Sequence, residues 1–180
     1  MFYYHPHMPV PRPVRAAQWV HTRYRFPGPP AEFVVVLGDA DFNIAVDARD
    51  WPPEVSGICV RGTLVSSIGI NRNDSEGRRR FTLWHEFYHY LVHKDEWSFS
   101  CGPSDKHQRE RECDIFAAHV LMPEEWVRRY WLHEAGGPAQ AGWALLVMAR
   151  RFQVSAAAMD RRLRELGLSP GDFPKGRRHV

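Results

Sequence analysis

The clearest alternation of apolar and polar positions lies between Phe81 and Leu91. There Phe81, Trp84, Tyr88 and Leu91 recur at helical spacing and give one helix a core-facing seam. A second seam runs through Cys113, Phe116, Ala117 and Val120, on a helix predicted over 108–121 and stopped by Met122-Pro123. Upstream the period shortens. Phe33 to Leu37 is a β-branched run ended by Gly38-Asp39, which reads as a buried strand. Asp41 to Asp47 alternates as a half-buried strand does, and Trp51-Pro52-Pro53 forces a turn. Gly57 to Gly62 and Leu64 to Asn71 add two more strands. A small, largely antiparallel sheet ahead of the helices defines an α+β fold. Downstream, 141–151 and 155–166 are predicted as two helices of a C-terminal hairpin.

Proline divides the chain further. Seven prolines fall within residues 1–30, so the ends of this segment are expected to be extended, with a short helix over Val14 to Tyr24 between them. The expected organisation is a Pro-rich arm at 1–30, a core at 31–140, the hairpin at 141–168 and a basic tail at 169–180. At 180 residues, 44% hydrophobic and 25% charged, the composition is that of a soluble globular protein. No apolar run approaches the roughly 18 residues of a membrane span. The first residues lack the layout of a signal peptide. Three widely spaced cysteines suit a reducing interior, so a cytoplasmic location is expected.

The chemistry gathers on the first seam helix, where His85-Glu86-Phe87-Tyr88-His89 forms an HExxH pattern. Histidines four apart are separated by about 40° around a helix, so both imidazoles can reach one cation. Zinc takes neutral imidazole nitrogens at about 2.0–2.1 Å and leaves a position open in catalytic sites. Glu86 lies roughly 100° from His85, placed to flank the metal and act as general base towards water. A third ligand is needed, and the second helix offers glutamates at 110 and 112. Glu110 lies about 60° from the centre of that helix's seam and Glu112 about 100°, so Glu110 is the better placed. Glu112 is expected to point towards solvent and nearby arginines. His93, a further turn along, is a weaker ligand candidate. Tyr90, His93, His107 and Tyr130 are candidate donors to an oxyanion. Arg78-Arg79-Arg80 is read as a largely solvated run leading into the metal helix, and 95–106 as a loop bordering the cleft.

Several separate patterns now coincide. Arg80-Phe81-Thr82-Leu83 precedes HExxH, Glu110-Arg111-Glu112-Cys113 runs into Phe116-Ala117-Ala118, and Leu121-Met122-Pro123 follows. With Gly57 and Ile70-Asn71 upstream, and Phe152 to Ser155 and Leu166 to Leu168 downstream, the chain resembles the ImmA/IrrE-type metallopeptidases over roughly 50–168. The resemblance implies a zincin-like domain with His85, His89 and Glu110 on Zn2+. It also implies intracellular cleavage of a regulatory protein, often a helix-turn-helix repressor. This chain departs from the family pattern at Phe87-Tyr88, where Leu-Gly is common, and at Cys113-Asp114, where Ala-Asn is common.

Charge qualifies this picture. The net charge of +3 divides into +4 over residues 1–25 and +5 over 141–180, leaving −6 between. Basic ends admit contact with nucleic acid, and 149–155 resembles the turn of a helix-turn-helix, with Ser155 as cap and Arg161, Arg162 and Arg164 along the second helix. Gln153 stands where that turn more often has glycine. The hairpin is therefore expected to pack on the core, and DNA binding is not expected. The competing expectation is a DNA- or protein-binding regulator whose metal site is structural or vestigial.

Overall fold

The computed structural model of the chain describes residues 10–93, 103–134 and 141–168. In order these are α1 (Arg12–Tyr24), α2 (Val34–Leu37), β1 (Ile44–Arg49), β2 (Gly57–Val60), β3 (Ser66–Asn71), α3 (Glu76–Val92), α4 (Pro103–Leu121), α5 (Glu124–Glu134), α6 (Ala141–Phe152) and α7 (Ala156–Glu165). The α+β class agrees with the expected one, whereas the sheet differs. Its order is β1-β3-β2, with β1 parallel to β3 and β2 antiparallel to it. The sheet is thus mixed. The reason is the segment after β1: Trp51-Pro52-Pro53 carries the chain across to the far edge, and β3 inserts between the two. Asn71, buried at the end of β3, holds that crossing. Its amide donates towards the carbonyls of Trp51, Pro52 and Val55 at 3.0, 3.1 and 2.8 Å.

The run Phe33 to Leu37 is not a strand; Val34–Leu37 is one turn of helix. Phe33 and Val36, three apart, are buried while Val34 and Leu37 are exposed, a helical rather than an alternating pattern. β-Branched residues favour strands where a pleated surface receives them. Here Phe33 instead meets the rings of Trp84 and Phe87 edge-on.

Proline starts α1, which buries Pro13, Ala17 and Val20 and packs against α4. His21 Nε2 lies 2.9 Å from the Val120 carbonyl oxygen. The Pro-rich segment therefore contributes a core-packed helix. α3 begins at Glu76 behind a Ser75 cap, so Arg78 to Arg80 lie inside the helix rather than ahead of it. Arg80 is not solvated. It is buried and donates to Glu76, Glu32 and the Gln153 carbonyl. Phe87 joins Trp84 and Tyr88 in the core, so α3 is covered over more of its circumference than a single seam requires. On α4, Cys113, Phe116, Ala117 and Val120 are all fully buried, as their period predicts. α4 starts at Pro103, earlier than expected, and takes in part of the predicted loop; 94–102 lie outside the described residues.

The α6–α7 hairpin forms where expected. Gln153 adopts the left-handed conformation (φ 52°) that the turn demands, and Ser155 Oγ accepts the Ala158 amide at 3.1 Å. Among the described residues no helix is long and apolar enough to cross a membrane.

Candidate metal centre

Packing of α3 against α4 brings the HExxH face opposite Glu110. Glu110 Oε2 is 3.2 Å from His85 Nε2, and its Oε1 is 3.6 Å from His89 Nε2. One carboxylate thus faces the same nitrogen of two imidazoles one helical turn apart. The opposite ring nitrogens are also engaged. His85 Nδ1 lies 3.0 Å from Asp114 Oδ1, and His89 Nδ1 lies 3.0 Å from His93 Nδ1. A histidine that holds a cation through Nε2 typically has Nδ1 fixed by such an outer partner, which sets its tautomer and ring angle.

The donor set fits a cation. Burial alone would lower the His85 pKa, yet hydrogen bonds to Asp114 and Glu110, with the Glu86 charge, lift it to about 9. The pocket favours positive charge, and a divalent ion can take the place that a proton otherwise fills. Glu86, 9% exposed, sits on the sheet side of α3. It rests against Gly57 of β2, where a β-carbon would stand 3.0 Å from Glu86 Oε1 and 2.3 Å from Thr82 Cγ2. Glycine is required there so that the strand can approach this part of α3. Arg61 donates to the carbonyls of His89 (3.2 Å) and Tyr90 and lies over the Tyr90 ring, placing positive charge at the C-terminal end of α3.

The second helix divides its acids differently from the expectation. Glu110 is 47% exposed in its side chain, and Glu112 only 25%. Glu112 accepts from Tyr88 (3.5 Å) and Gln108 (3.3 Å) and stands 4.0 Å from His93 Nε2, behind the histidines rather than in solvent among arginines. Two residues apart on a helix means about 200°, so the two acids flank the Cys113 seam on opposite sides. The Glu112 flank is the more enclosed of the two because His93, at the C-terminal end of α3, stands over it. Burial and the Glu112 charge push the Tyr88 pKa to about 12.

His93 meets His89 and lies 3.9 Å from Cys113 Sγ. Tyr90 stacks on Phe87, and Tyr130 lies edge-on to Phe152 beneath Arg151, in the α5–α6 layer. His107 is exposed on α4. Asp114 was not anticipated as a partner of His85. Its signal was present: it follows Glu110 by four residues and so shares that residue's helix face. Cys113 belongs to the α4 seam, and donor atoms of His85, His89 and Cys113 also lie within 4.8 Å of one another.

The fold and this cluster define an α+β domain built around a histidine–carboxylate centre. Residues 44–164 match the Peptidase_M78 family, described as the IrrE N-terminal-like domain, and the chain belongs to that family. None of the curated proteins compared with the chain matches it. Among solved structures, a Mycobacterium tuberculosis transcriptional regulator is similar at 17% identity and a TM-score of 0.59. The match covers 84% of this chain and 46% of that one, so the chain spans about half of that protein's length.

Proposed function

We propose that the chain is a zinc-dependent peptidase in which His85, His89 and Glu110 hold the metal and Glu86 is the general base. The observation that carries this reading is the convergence of both Nε2 atoms on the Glu110 carboxylate, with buried Glu86 on the same helix. Zinc bound there supplies a Lewis acid for the scissile carbonyl and lowers the pKa of water to about 7. Glu86 takes the proton of the attacking water and later delivers it to the leaving amine. Asp114 and His93 hold the two imidazoles in register. β2 ends the sheet beside Glu86, with Ile58 and Val60 half-exposed, and an edge strand next to a base suits an extended peptide.

The substrate we favour is an intracellular regulatory protein such as a helix-turn-helix repressor, on the strength of family membership. Binding to DNA by the hairpin itself is disfavoured. Arg162 is buried, donating to the Met122 carbonyl and Glu165, and Arg164 pairs with Asp160, while Arg161 is exposed. The test is capture in cells. Glu86→Gln should retain a protein that the wild type cleaves, and identification of that protein with its cut site would establish the activity. Recovery of the same uncut partners with wild type and variant would contradict it.

A further inference from the structure

We propose that the Cys113 thiolate is itself a ligand of the metal held by His85 and His89, giving the resting centre a sulfur donor. The inference rests on the reading of these histidines as a metal site. Cys113 is fully buried at the middle of the α4 seam and follows Glu110 by three residues, so both face α3. Its donor atom and those of His85 and His89 lie within 4.8 Å of one another. Bonds of about 2.0–2.1 Å to nitrogen and 2.3 Å to sulfur in a tetrahedron place N and S roughly 3.5 Å apart. Closing the set therefore takes movements on the order of 1 Å, within reach of rotation about the cysteine and histidine side chains.

The surroundings suit a metal thiolate. His93 Nδ1 lies 3.9 Å from Cys113 Sγ and 3.0 Å from His89 Nδ1, so the thiol stands beside the outer partner of His89. Thiolate is a favoured zinc ligand, whereas the alanine common at this place in the family pattern offers no donor at all. Coordination forms one sulfur–metal bond, releases the thiol proton to the buffer and displaces a water; no electron is transferred. With Glu110 as a further donor the site would offer four protein ligands. Water would then enter only when the sulfur withdraws, and Cys113 would act as a latch on the centre.

The experiment is cobalt substitution of the full chain, followed by absorption spectroscopy. Wild type should show a near-ultraviolet sulfur-to-cobalt charge-transfer band beside the visible bands of the bound ion. Cys113→Ala should lose the charge-transfer band and keep the visible ones, while Cys59→Ala and Cys101→Ala keep both. Cys113→Ser, closer in size, is the second variant and should behave as the alanine does. Bound cobalt without the band in wild type, or a band that persists in both Cys113 variants, would overturn the proposal. In that case the visible bands, and their loss in His85→Ala, would still report the histidine site separately. Failure of wild type to take up cobalt would overturn both.

Discussion

Replacing Gly57 by alanine probes the contact between sheet and base. A β-carbon at this position would stand 2.3 Å from Thr82 Cγ2, 3.0 Å from Glu86 Oε1 and 3.1 Å from Glu86 Cγ. Carbon atoms pack at about 3.5–4.0 Å, so strand and helix must part by more than about 1 Å. Thr82 and Glu86 are both buried on α3, so relieving these contacts disturbs a packed part of the helix. Forced overpacking of this kind costs about 1–3 kcal/mol, read as a lower urea midpoint at unchanged slope. Displacing a catalytic group by about 1 Å costs on the order of 10²-fold in rate, or about 2.7 kcal/mol of barrier. Zinc content should remain near wild type, because the inserted carbon meets none of His85, His89 and Glu110 among its nearest atoms. Gly142→Ala is the control: nothing lies within 4 Å of its added carbon, and alanine in a helix is neutral to stabilising by up to about 1 kcal/mol. Wild-type stability and wild-type hydrolysis in Gly57→Ala would refute the argument.

The remaining predictions concern the two long helices. Asp114→Ala frees His85 Nδ1 and should weaken zinc binding by about 10–100-fold in competition with a chelator. Unchanged affinity would remove Asp114 from the site. Glu110→Ala should lower zinc per chain sharply after dialysis, whereas Glu112→Ala should retain it and lose about 1 kcal/mol of stability with the Tyr88 contact. The reverse pattern would mean that the two acids have exchanged roles. Burial and the Arg162 charge lower His119 from 6.5 to about 4. Between those values the unfolded chain binds a proton that the folded one refuses. Stability is therefore full above pH 6.5 and falls towards pH 4, by up to about 3 kcal/mol. His119→Gln should flatten that part of the urea-midpoint profile, and an equally steep profile would contradict the cause.

The helical half of the fold was legible in the sequence because its signals are local. The seams of α3 and α4, the Met122-Pro123 stop and the Ser155 cap are each read from a few neighbouring residues. The sheet was less legible because strand order depends on what lies opposite. Nothing local in Trp51-Pro52-Pro53 says that β3 will enter between β1 and β2, and the Asn71 amide that secures the crossing acts over 16–20 residues. Phe33 to Leu37 misled because β-branching describes a preference for a surface that the tertiary structure does not supply there. At the centre, helical phase brought Glu110 opposite the histidines. The same phase was incomplete for Glu112 and Asp114, since it gives an angle about one axis and not how far the neighbouring helix extends.

The central claim is a zinc centre with Glu86 as its base, and the most direct measurement pairs metal content with hydrolysis in Glu86→Gln. The substrate is the partner captured by this variant, assayed at equal zinc loading. Glu86→Gln removes a base and no ligand, so zinc per chain should equal wild type while cleavage falls by at least about 10²–10⁴-fold. Cleavage at the wild-type rate by the zinc-loaded variant would contradict the assignment.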